Sequence, residues 1–303
     1  MVTAGELRRG RGERYLTRSG DFVAGRIALR SSSADSVAVV DATSGEMLGN
    51  VEAQRAFSTV HPGAIYLHLG RSYEVSELDV GSRRAIVKPF EGDYYTQVKK
   101  ETEVYIEGIE TQRSALGVEL NFGTVSVSEQ VIAYQRKRLG DNKVIDIISL
   151  DLPEQNFITQ ALWYVISERL AASLPSEVLL GALHASEHGQ IAVLPLIAMC
   201  DRWDIGGLST NIHFQTGQPT IFIYDGHPGG VGITRRGYEE FERLVGDADR
   251  LIRECPCDDG CPSCVQSPKC GNLNEHLHKG GALELMGALQ RPARGGRGSE
   301  RAR

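Results

Sequence analysis

Five of the chain's six cysteines fall within "CPCDDGCPSCVQSPKC", at Cys255, Cys257, Cys261, Cys264 and Cys270. Thiols this dense serve disulfides, redox exchange or a metal. A redox Cys-x2-Cys belongs at a helix start after a strand, in a βαβ setting. Here Cys261 and Cys264 lie instead in a loop with Pro256, Gly260, Pro262 and Pro268. Such residues favour tight turns that aim two sulfurs the same way. A tetrahedral zinc site takes four borderline-soft ligands. The compact set is Cys255, Cys257, Cys261 and Cys264, with Cys270 as an alternative ligand and His276 and His278 near enough in sequence to compete. Four sulfurs leave no place for water, so this zinc is expected to hold the fold rather than do chemistry.

A second constellation is "HASEH", residues 184–188. On a helix His184 and His188 stand one turn apart and Glu187 lies beside them, as in inverted zinc-peptidase motifs. Two readings stand: a metallohydrolase or nuclease site, or a buried polar cluster joining helix to sheet. The second is preferred, because the surrounding helix is apolar on most faces. Asp225 and His227 complete that cluster, with Asp201 and Asp204 as further candidate partners.

"YDGHPGGVGITRRG" (224–237) reads as strand, Gly-rich turn and helix. Free N–H groups at such a helix start can hold an anion such as a DNA phosphate, or serve plain strand-on-helix packing. Arg235 and Arg236 follow in the first turns. With "RKR" (Arg136, Lys137, Arg138) they are the candidate nucleic-acid contacts. The formal net charge of −6 argues against a uniformly basic glove. Neither a G-x4-GK[ST] loop nor an Asp-Glu-Ala-Asp or Asp-Glu-Ala-His box is present, so ATP hydrolysis by that route is not expected of this chain. There is no secretory signal or membrane-length apolar run, which points to the cytoplasm and no membrane partner.

The elements that must position these residues read as α+β. A β-rich N-terminal half precedes a mixed α/β domain that ends in the cysteine cluster. Residues 1–20 form a basic arm expected to be disordered, and 21–150 a β-rich domain of short strands rich in Val, Ile and Tyr, beginning with "DFVAGRIAL". Residues 151–290 form the zinc-binding domain and 291–303 a disordered Arg/Gly tail. Helices are expected over 156–174, over 176–200 with Ser176 as cap and a kink at Pro195, over 233–255, and near 279–290. Strands are expected at "GLSTNIHF" and "PTIFIYD".

"LLGALHASEH", "CDRWDIGGLST", "TIFIYDGHPGGVG" and the cysteine segment together resemble the zinc-binding C-terminal region of MrfA-like helicases. These are superfamily-two DEAD/DEAH-box DNA translocases. "AFSTVHPGAIYLHLGRSYEVSELD" also resembles the β-rich segment that joins their motor to the zinc domain. The resemblance implies zinc on Cys255, Cys257, Cys261 and Cys264. It also implies a role in DNA repair beside a motor moving 3′ to 5′ on single-stranded DNA. The RecA-like motor has no counterpart in this sequence, so it is expected in cis in a longer parent or in trans as a separate helicase. Relatives in anti-phage defence imply an alternative role as a partner-docking module.

Overall fold

The computed structural model describes residues 35–291, together with the backbone of two short paired strands, β1 (Leu7–Arg9) and β2 (Tyr15–Thr17). Beyond these two strands, the arm over 1–20, the strand over 21–29 and the tail past residue 291 lie outside the described residues.

Valines at alternate positions build the first sheet, since every second side chain of a strand faces the same side. Its strands are β3 (Ser36–Asp41), β4 (Met47–Glu52), β5 (Ile65–His68), β6 (Arg71–Asp79) and β7 (Arg84–Pro89), in the order β4-β3-β7-β6-β5. Among the described strands only β3 and β7 pair parallel. Val37, Val39, Val75, Ala85 and Val87 turn inward and bury against Ala56 and Val60 of α1 (Ala53–Thr59) and its end.

The second sheet has six strands: β8 (Tyr94–Ala115), β9 (Val118–Arg138), β10 (Val144–Ser149), β11 (Gln155–Val165), β12 (Ile205–Thr210) and β13 (Thr220–Asp225). β8 runs along one edge of β9. On the other edge β10 pairs with residues 133–137 and β11 with 119–129, one after the other. β13 and then β12 extend the sheet past β11. The cut expected at residue 150 falls inside this sheet. A separate core instead marks off the strands that end at Pro89.

Residues 156–174 are not the expected helix. β11 occupies Gln155–Val165, and only α2 (Glu168–Ala171) is helical. Ala161, Leu162, Trp163 and Tyr164 are all buried. A central strand covered on both faces loses the alternation that betrays a strand, and its continuous apolar run imitates a buried helix.

α3 (Ser176–Val193) follows, capped by Pro175 rather than by the Ser176 side chain. α4 (Pro195–Ala198) follows after Leu194, whose helical backbone and bonds to Gln190 and from Ala198 carry the turn through, so Pro195 sits at the expected interruption of the helix. The long helix expected over 233–255 is also two, α5 (Ile233–Glu239) and α6 (Phe241–Glu254). α7 (Lys279–Leu289) closes the chain's described part. α3, α6 and α7 bury Leu183, Ala248, Ile252, Leu285 and Met286 in one core with Leu162, Tyr164 and Ile221 of the sheet. Gly207 lets α3 lie close on β12, since a Cβ there would stand 2.3 Å from Glu187 Oε1 and 2.7 Å from Ile191 Cδ1.

Candidate metal centre

The cysteine loop leaves α6 at Glu254 and returns to the fold at α7. Within it Cys255 Sγ lies 3.6 Å from Cys257 Sγ and 3.5 Å from Cys261 Sγ. Cys264 Sγ lies 3.5 Å from Cys257 Sγ and 3.9 Å from Cys261 Sγ. A zinc–sulfur bond of about 2.3 Å in a tetrahedron requires sulfurs about 3.8 Å apart. The four thiols therefore fit that ion. Cys200 and these four are unbridged, as is Cys270.

Local backbone explains the fit. Cys261 N–H donates to Cys264 Sγ at 3.4 Å, while Cys264 N–H and Gln266 N–H both donate to the Cys261 carbonyl at 3.0 and 3.1 Å. Gly260 has φ +112°, a conformation side chains resist. Lys279, at the start of α7, sends its ammonium back across the loop to the carbonyls of Cys255 and Cys257, at 2.7 and 2.5 Å, and to Cys257 Sγ at 3.5 Å. A cation beside four thiols offsets the negative charge they carry when they hold a metal. Nothing in the spacing of the cysteines singled out Lys279.

The other candidate ligands go elsewhere. Cys270 Sγ lies 3.4 Å from His184 Nε2, away from the four-sulfur group. His278 caps α7, its Nδ1 accepting from Gly281 N–H at 2.8 Å. His276 lines a large cavity instead.

That cavity, of 1060 Å³, lies between α3, the sheet and the segment 267–272. His184, Glu187 and His188 line it from α3. Burial pushes the Glu187 carboxyl up to about 7, against a Ser209 hydrogen bond and the charge of Lys269. Burial, with the neighbouring His184, pulls the His188 imidazole down to about 3. Burial also lowers the Lys269 ammonium to about 8, and Lys100 adds to the effect. On the cavity wall Glu129 takes a 2.7 Å bond from Lys100 and a 2.9 Å bond from the Tyr224 hydroxyl. Burial raises the Glu129 carboxyl, but these partners outweigh it and hold the group below its ordinary value.

Of the candidate polar residues, Glu187, His188, Asp225 and His227 are buried and His184 is half-buried, and they fall into two groups. Asp225 ends β13 and His227 lies in the turn that follows. The Asp225 carboxylate, fully buried, accepts from the N–H groups of Val231, Gly232, Ile233 and Thr234 at 2.6, 2.8, 3.3 and 2.8 Å. The helix start proposed as a phosphate cradle is therefore filled by the chain's own carboxylate. His227 Nε2 lies 3.1 Å from Asp204 Oδ1, and Asp201 caps the 3-10 turn over Arg202–Asp204.

The basic candidates sit on the surface with partners of their own. Arg235 pairs with Glu110 at 2.9 Å and covers the Phe122 ring. Arg236 pairs with Glu239 and Glu240, Arg136 with Asp146, and Arg138 with Asp141. Lys137 Nζ donates to Gln97 Oε1 at 3.2 Å.

The fold and the four-thiol loop define an α+β protein whose C-terminal cysteine cluster fits a zinc ion. A family model described as the MrfA Zn-binding domain matches residues 186–265. The "Uncharacterized protein MJ1572.1" of Methanocaldococcus jannaschii is 38% identical over 110 residues, which are 35% of this chain and 98% of that protein. The "Uncharacterized ATP-dependent helicase YprA" of Bacillus subtilis is 32% identical over 260 residues, 84% of this chain. The crystal structure of the DUF1998 helicase MrfA bound to DNA superposes with a TM-score of 0.53 at 30% identity, over 95% of this chain. The chain belongs to the family of MrfA-like proteins that carry this Zn-binding domain. It spans 34% of the YprA helicase and 38% of the MrfA chain. No helix among the described residues is long and apolar enough to cross a membrane.

Proposed function

We propose that this chain is the zinc-stabilised accessory region of a DNA-repair helicase. It binds or positions single-stranded DNA beside an ATP-driven motor supplied in cis or in trans. The observation that carries the reading is the closed four-sulfur tetrahedron of Cys255, Cys257, Cys261 and Cys264. Zinc there has no open position and serves the architecture. The likeness to a helicase crystallised with DNA supports the choice of ligand. Free thiols throughout suit a cytoplasmic setting.

Arg235, Arg236, Arg136, Lys137 and Arg138 are the proposed phosphate contacts. Their present partnerships are on the surface, and such pairs contribute only about 0–1 kcal/mol each. Exchanging a carboxylate for a phosphate therefore costs little.

Fluorescence anisotropy with single-stranded DNA at rising salt tests the proposal. Three or four phosphate contacts give a slope of roughly −2 to −3 in log affinity against log salt. The same titration on a chain ending at residue 290 separates the folded region from the Arg/Gly tail. Absence of binding by that shortened chain at low salt would move the reading to a partner-docking module. The purified chain is expected to hydrolyse no ATP with or without DNA.

A further inference from the structure

The spare cysteine and the His-x2-Glu-His stretch meet in a second cluster. His184 and His188 lie one helical turn apart on α3, where residues four apart are neighbours. Their rings meet edge to face, with centroids 4.4 Å apart. A nitrogen of each and the Cys270 sulfur all lie within 4.8 Å of one another. The segment that carries Cys270 is itself tied down. Lys100 N–H donates to the Gly271 carbonyl at 2.9 Å, and Ser267 N–H donates to Asn274 Oδ1 at 2.7 Å.

Proton counting shows what the cluster lacks. His188 Nδ1 is 2.6 Å from the Val265 carbonyl oxygen, and His184 Nδ1 is 3.1 Å from that of Glu275. A carbonyl only accepts, so each Nδ1 carries the proton and each neutral ring keeps a lone pair on Nε2. The His184 Nε2 faces the Cys270 sulfur at 3.4 Å, the His188 ring packs edge to face against that of His184, and the single S–H proton can serve only one nitrogen. A cation serves all three donors. An Nδ1–H held by a backbone carbonyl is also how metal-bound imidazoles are oriented.

We propose that His184, His188 and Cys270 form a second metal site, separate from the four-cysteine centre, for a zinc-class divalent cation. Two imidazoles and a thiolate suit zinc, whereas calcium and magnesium want oxygen ligands. Three protein ligands leave a fourth position. All three residues line the 1060 Å³ cavity, so that position opens on it. Two of the three, His184 and Cys270, lie outside the stretch matched by the Zn-binding family model.

The test uses the full chain, loaded with excess zinc and desalted, with metal measured by plasma mass spectrometry. Two zinc ions per chain are expected, falling to one in Cys270→Ser and in His188→Asn, with an unchanged circular dichroism spectrum. Cadmium NMR of the unsubstituted protein should show two signals, one from four sulfurs and one from a nitrogen-rich site. A single zinc that survives both substitutions would overturn the site. So would a lone all-sulfur cadmium signal, which decides the matter even if the variants fold poorly. A single zinc lost with Cys270→Ser keeps this site and counts against the four-cysteine centre instead.

Discussion

Lys279 Nζ lies 2.7 Å from the carbonyl oxygen of Cys255, joining residues 24 apart in sequence. One ammonium thereby spans the metal loop from its first cysteine to the helix that follows it. Replacing Lys279 with Met keeps an unbranched side chain, one atom shorter, and removes the charge. Outer partners of this kind typically affect metal affinity about 10-fold or more. Zinc should pass to a competing chelator roughly 10-fold more readily from the variant, as read by a colorimetric chelator titration.

Loss of the metal itself is expected to be larger in effect. Structural zinc binding is largely folding free energy, on the order of 10 kcal/mol. Cys261→Ser or Cys264→Ser, or prolonged chelation, should abolish amide-exchange protection over residues 255–290. Protection in β8 and β9 should remain. Full protection of the loop after verified zinc removal would count against the centre.

Asp225 holds four N–H groups, those of Ile233 and Thr234 buried, with one buried carboxylate. Asp225→Ala leaves them without an acceptor, at a cost of roughly 3–5 kcal/mol. Asp225→Asn keeps one oxygen and should cost about 1–2 kcal/mol. Urea unfolding followed by circular dichroism measures both. Equal stability of the two variants would mean that water replaces the carboxylate.

Glu129 carries the pH dependence that the structure makes explicit. Its carboxyl is held below the ordinary value of 4.5 by Lys100 and Tyr224, against burial. A depressed acid binds its proton more weakly in the folded state than in the unfolded state. Its stabilisation is therefore complete above the ordinary value and is lost as pH falls through the lower, folded one. Glu129→Gln should flatten the fall in Tm below pH 4.5 relative to the unsubstituted protein.

Several of these features are legible in sequence and several are not. Cysteine spacing and Pro/Gly turns suffice for the four-sulfur loop, because all its parts lie within ten residues. Val, Ile and Tyr alternation likewise reveals β3, β6 and β7. β11 escapes because both its faces are covered, which erases the period. β4 and α1, in "MLGNVEAQRAFST", lack a strong pattern and go unseen. Cys270 joins His184 only through the path of the chain, although a fifth cysteine left over from a four-cysteine site is itself a signal. Asp225 reads as one more polar residue near a Gly-rich turn. Its role emerges only when β13 and α5 are seen to bend around it.

The pairing of β8 with β9 sets an order of assembly. Their strands meet at a two-residue turn, with Ala115 opposite Val118 and positive φ at Leu116 and Gly117. Such a hairpin closes through contacts local in sequence, with little loop entropy lost at each step. It is complete by Arg138, before β11 or β13 exists on a growing chain. β11 then lines up on the free edge of β9, and β13 on β11. The cysteines come only after that platform is made, and Lys279 after them. On a growing chain a metal held by these cysteines would therefore act as a closing clasp on a sheet already standing, rather than as the seed from which it grows.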